Sequence, residues 1–147
     1  MKTVGDIMKF IMTCILAATL YASGAMAAGG TWDTPAKAAI DAKDWAGAIK
    51  LLEGEVADNT ATADTYNYLG FAYRGLGRYD QAFKHYATAL EMDPEHRGAH
   101  EYVGETYLAV GNLKKAKEHL AALDRICLFG CQEYDDLKAA VAAHRPK

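Results

Sequence analysis

The chain carries no Gly-x-Ser-x-Gly elbow, no P-loop and no dinucleotide-binding glycine fingerprint, so the usual nucleophile and phosphate-cradling devices of enzymes are missing. Cys-x-x-Cys-His, which covalent haem attachment needs, is absent too. No cluster of lysine and arginine occurs, and 16 basic residues against 19 acidic ones leave a net charge of −3. Such a mildly acidic chain is not drawn to nucleic acid or anionic lipid by electrostatics alone. His96 and His100 stand four apart, a spacing that can put two ligands on one helix face. Glu101 adjoins them, but the order is not His-Glu-x-x-His. Neither an enzyme nor a bound cofactor is expected, and Asp80, Asp135 and Asp136 read as solvated helix residues.

Cysteine is scarce: Cys14, Cys127 and Cys131. Cys14 lies in a leader-like segment that begins with Lys2 and Lys9 and continues as an apolar run over residues 10–21. That run is shorter than the roughly 20 residues a membrane span requires. Ala25-Met26-Ala27 follows as a small-x-small cleavage site, so removal between Ala27 and Ala28 is expected. No cysteine follows that site closely, which argues against a lipoprotein. The expected product is periplasmic or secreted, has no membrane segment after cleavage, and carries 14 basic and 18 acidic residues.

The remaining chain is organised by a period of 34 residues. Tyr66, Leu69, Gly70, Tyr73, Ala82, Tyr86, Ala89 and Pro94 form one unit, and adding 34 to the first seven gives His100, Val103, Gly104, Tyr107, Ala116, Leu120 and Leu123. Gly77 returns as Gly111 and Tyr68 as Tyr102. Glycine inside a helix costs roughly 0.5–1 kcal/mol relative to alanine, so Gly70 and Gly104 make sense where another helix approaches closely. Ala82 and Ala116 do the same on the second helix, and Tyr66, Tyr73 and Tyr86 fill the space around them. His100, standing in the place of Tyr66, is read as a packed ring. This order of residues at this period resembles the tetratricopeptide repeat, a helix–turn–helix unit that stacks into a solenoid.

The resemblance implies an all-α, short helical-repeat solenoid. The expected divisions are a signal peptide at 1–27, a degenerate repeat at 28–62, two repeats at 63–96 and 97–130, and a capping helix with tail at 131–147. In the degenerate copy Trp45, Ala48, Lys50 and Leu52 match Tyr79, Ala82, Lys84 and Tyr86, whereas Ala36 and Ala39 replace Gly70 and Tyr73. Helices are expected over 35–43, 45–56, 63–76, 79–92, 95–110, 113–126 and 134–144. Thr34 with Pro35 reads as an N-cap and first helical residue. Tyr134, Leu137 and Val141, spaced by three and four, mark the capping helix.

Cys127 and Cys131 flank Leu128-Phe129-Gly130, and in an oxidising compartment they are expected to form a disulfide contributing roughly 1–2 kcal/mol. Two other readings stay open. The spacing resembles the copper-binding pair of Sco-type proteins, whose α/β fold is not indicated here, with His119 or His144 as a further ligand; thiol–disulfide exchange is the other. The solenoid resemblance also implies protein or peptide binding on the concave surface. Asp64, Asn67, Phe71 and Arg74 would lie there, with Gly98, Glu101, Glu105 and Leu108 at the matching places. Glu101 and Glu105 would repel a carboxylate, so a basic or neutral segment, or a helix anchored on Phe71, fits better. Self-assembly through exposed terminal repeats is a further alternative.

Overall fold

A computed structural model describes residues 34–145; the expected signal peptide and cleavage site lie outside them. Among the described residues there are seven helices and no strand: α1 (Pro35–Asp41), α2 (Trp45–Ala57), α3 (Ala63–Gly75), α4 (Tyr79–Met92), α5 (Arg97–Ala109), α6 (Leu113–Ile126) and α7 (Gln132–Ala143). They form an all-α, tetratricopeptide-like helical solenoid. Each helix packs on its chain neighbours, and α5 also packs beside α3 and α7.

The starts of the helices follow from capping chemistry. Thr34 Oγ1 accepts from the Lys37 N–H at 3.1 Å ahead of Pro35, as the sequence predicts. Thr62 and Thr65 form a reciprocal capping box at α3. The first turn of α5 is shorter than expected. Asp93 accepts from the Glu95 N–H at 3.0 Å, holding a turn, and His96 then caps the helix by accepting from the Ala99 N–H at 3.1 Å.

The 34-residue period is also written in the backbone. Lys43, Gly77 and Gly111 adopt φ of 57°, 72° and 79°. After each of them the N–H of Asp44, Arg78 and Asn112 donates to the carbonyl of Ala39, Tyr73 and Tyr107, at 2.8, 2.9 and 2.7 Å. This is one Schellman turn used at three places 34 residues apart, and Asn59 (φ 56°), with the Thr60 N–H on the Glu55 carbonyl at 2.9 Å, makes it once more at the end of α2. It explains why α1 stops at Asp41 instead of reaching Lys43, and it gives the first helix pair the same turn as the two that follow.

Small residues let the helices close up. Ala48, Ala72, Ala82, Ala89, Ala99 and Ala116 are fully buried. A Cβ added at Gly70 would stand 2.6 Å from the Tyr86 ring, and one at Gly75 would stand 2.6 Å from the Trp45 ring. Between α2 and α3 two polar ties add direction: the Thr65 hydroxyl donates to Glu55 at 2.7 Å and the Tyr73 hydroxyl to Glu53 at 3.0 Å. The capping helix begins two residues before its expected start, and its Leu137 is wholly buried against the last pair.

Candidate functional site

The N-terminal halves of α3, α5 and α7 surround a cavity of about 550 Å³. From α3 come Asp64, Asn67 and Tyr68; from α5 come His96 at its cap, Arg97, Gly98, Glu101 and Tyr102; from α7 come Gln132, Glu133 and Asp136. The register is regular, because Asn67, Glu101 and Asp136 are each the fifth residue of their helix.

Asp64, Asn67 and Glu101, three of the residues singled out by sequence, thus meet in one place. Asn67 and Glu101 form its floor, at 3% and 8% exposure. Asn67 Oδ1 is buried without a hydrogen-bond partner, an arrangement that costs roughly 1–3 kcal/mol if nothing binds there. Asp64 is held at the rim by His96 Nε2, 3.0 Å away. Burial pushes the Glu101 carboxyl up to about 8, with Glu105, Asp136 and Glu133 adding to the rise and Arg74 opposing it.

The other expected groove residues have structural duties. Phe71 is not a free anchor: its ring lies 4.6 Å from Tyr102 and 5.9 Å from Trp45, centroid to centroid. Arg74 sits over the Phe71 ring at 5.9 Å and pairs with Glu105 at 2.8 Å. The guanidinium that would face a ligand in isolation is therefore already matched, and so is Glu105. Leu108 lies apart, lining a second cavity with Val110, Leu113 and His144. Sequence reading missed Tyr68, His96, Glu133 and Asp136 as members of the site. Asp136 is fifth only from the observed start of α7 at Gln132, two residues before the expected one, so no sequence signal located it.

His96 and His100 do not converge. His96 spends one ring nitrogen on the α5 cap and the other on Asp64. His100 faces His119 with Nδ1 atoms 3.0 Å apart, and its Nε2 lies 3.0 Å from the Pro94 carbonyl. The ring is half-buried among other rings, as expected of a residue in the place of Tyr66. Among the described residues no group of three His, Cys, Asp or Glu side chains is placed to hold a metal ion. The Cys127 and Cys131 Sγ atoms stand 2.01 Å apart.

The comparisons with known proteins agree with this architecture. Residues 63–96, which hold α3 and α4, match the tetratricopeptide repeat family. The chain is 36% identical over 64 residues to the uncharacterized protein ycf37 of Guillardia theta, covering 44% of this chain and 36% of that protein. It is 29% identical over 75 residues to the human protein O-mannosyl-transferase TMTC3, covering 51% of this chain and 8% of that one. The chain therefore spans about a third of the first relative's length and under a tenth of the second's.

Proposed function

We propose that the protein is an exported interaction module, not an enzyme, that holds a peptide or protein segment on the face made by α3, α5 and α7. The observation that carries this reading is the cavity on that face, whose floor includes the buried Asn67 amide oxygen, which has no hydrogen-bond partner. Packed interiors rarely leave such an atom unpaired; the Tyr86 hydroxyl is another, but it lies inside the core, whereas Asn67 lines the cavity. Asn67, Glu101, Tyr68 and the rim at Asp64 and Asp136 would contact the segment directly. Phe71, Arg74 and Glu105 would hold the wall behind them.

Export is supported by the leader pattern at residues 1–27 and fits a Cys127–Cys131 disulfide, for which the sulfur positions are suitable. Among the described residues no helix is long and apolar enough to cross a membrane. Mass measurement of the protein recovered outside the cytoplasm is expected to give a chain beginning at Ala28 and two hydrogens lighter than its dithiol form. An intact leader would overturn export, and free thiols would overturn the disulfide.

The groove itself is tested by placing a photo-crosslinking amino acid at Tyr68 in producing cells, with and without Gly98→Leu. A Cβ at Gly98 would lie 3.2 Å from Asn67 Nδ2, so a leucine there enters the cavity from its wall. A crosslinked protein that disappears with Gly98→Leu supports the reading. Crosslinks that are absent, or indifferent to Gly98→Leu, reject it.

A further inference from the structure

Acidic residues at helix starts are commonplace, because they oppose the partial positive charge of the unpaired N–H groups there. Asp64 and Glu133, each in a first turn, are accounted for in that way. Asn67, Glu101 and Asp136 are not. They lie one turn deeper, where the helix-end field has faded. Glu101 is 8% exposed and, among the described residues, makes no ion pair or hydrogen bond. Asn67 Oδ1 beside it is also an acceptor without a donor. The floor thus holds two acceptors with no donor paired to them, beside the Asn67 Nδ2 donor that faces Gly98.

The charged groups facing Glu101 have been assigned partners that exclude it. Arg74 of α3 is engaged by Glu105, 2.8 Å away, and Arg97 of α5 leans toward Glu133 at 4.0 Å. Asp136 of α7 is exposed and adds negative charge at the rim. An anion entering here would meet carboxylates from two helices. An apolar side chain would leave both acceptors desolvated and unpaired. A lysine or arginine head group carries only donors, three or five of them, and satisfies both residues at once.

We infer that the cavity receives the side chain of one lysine or arginine of the bound segment, its head group seated between the Glu101 carboxylate and the Asn67 amide oxygen and neighboured by Asp136. This rests on the groove reading and names the chemistry of its occupant. The raised affinity of Glu101 for its proton reports the same field: burial and three carboxylates resist its ionisation. A cation in the cavity reverses that balance. Glu101 then ionises, and its proton leaves to solvent as the head group enters.

The test is selection of a displayed library of short random peptides on the protein, followed by calorimetry of the recovered peptides in buffers of different ionisation enthalpy. Peptides bound by the native protein and lost on Gly98→Leu are expected to share a lysine or arginine at one position. Replacing that residue by norleucine, or using Glu101→Gln, is expected to weaken binding roughly tenfold or more. Asp136→Asn, at an exposed site that cannot disturb the core, weakens it less. At neutral pH the native protein should release close to one proton per peptide, and Glu101→Gln none. Peptides that need the open cavity but no basic residue, or that bind Glu101→Gln and Asp136→Asn undiminished, overturn this inference and leave the groove standing. Failure to recover any peptide sensitive to Gly98→Leu removes the groove and this inference together.

Discussion

The consecutive pairs α3–α4 and α5–α6 share a backbone plan and differ in which element fills the same hole. Above Gly70 the space is taken by Tyr86 of the pair's own second helix, and that side chain is wholly buried. The residue matching Tyr86 in the next pair is Leu120, which is only half-buried. The hole above Gly104 is filled instead by Leu137, reaching in from α7. Rings are kept more faithfully. His85 stacks on Tyr66 and Tyr73 at 6.2 and 5.1 Å, and His119 sits beside His100 and Tyr107 at 5.2 and 5.7 Å. The repeat therefore preserves where a hole is, not who fills it. One pair closes its own core; the other leans on the helix that follows.

The sharpest way to break this comparison is to empty each hole. Tyr86→Ala is expected to destabilise the protein by about 3–5 kcal/mol and Leu137→Ala by about 2–5 kcal/mol. Leu120→Ala should cost only about 1 kcal/mol. Urea unfolding measures all three, and a Leu120 loss as large as that of Leu137 would contradict the exchange of roles. Overfilling comes next. Gly70→Ala gains about 0.5–1 kcal/mol of helix preference but pushes on a rigid buried ring, at about 1–3 kcal/mol. Gly104→Ala pushes on an aliphatic side chain that can change rotamer, so its net loss should be the smaller of the two.

Protonation separates the pairs at Glu101 alone, because His85 of α3–α4 and its counterpart His119 of α5–α6 are both lowered, chiefly by burial. The Glu101 carboxyl rises from 4.5 to about 8 on folding, so its protonated form stabilises the fold at low pH and that contribution is lost as pH rises through this window. His119 moves the other way, from 6.5 to about 4, chiefly by burial and then by His100, so its contribution is lost as pH falls. Between 4.5 and 6.5 the two slopes oppose one another. Above 6.5 only the Glu101 slope remains, at most about 1.4 kcal/mol per pH unit. Glu101→Gln is expected to flatten stability between neutral pH and 8. The smallest expected effect is at the α4 cap, where Arg78 makes no side-chain bond while Asp44 and Asn112, at the matching places, both do. Arg78→Asn should stabilise by about 1 kcal/mol, read as a rise in the urea midpoint.

The fold was legible because glycine, alanine and tyrosine at fixed offsets record steric demands that recur with every pair. Helix ends were readable to within about two residues. They failed where a side chain or a strained turn decided the matter, as at His96 and Lys43. The site was less readable. Asp64, Asn67 and Glu101 were located by their periodic positions, but partnership is a tertiary property. Nothing in the spacing reveals that Arg74 already holds Glu105, that Phe71 is wedged between Trp45 and Tyr102, or that Leu108 faces elsewhere. Asp136 escaped because α7 begins one residue off the 34-residue register.

Each helix here finds its packing partners within one or two elements along the chain. Contacts so local demand only short loop closures, and chains of this kind fold in about microseconds to milliseconds. The pair that closes its own core is the natural nucleus, and the helix that lends Leu137 is the natural latecomer. Stopped-flow kinetics should accordingly show Tyr86→Ala slowing refolding and Leu137→Ala mainly hastening unfolding. The lifetime of the folded state would then be governed at its last helix, and its speed of formation in its middle.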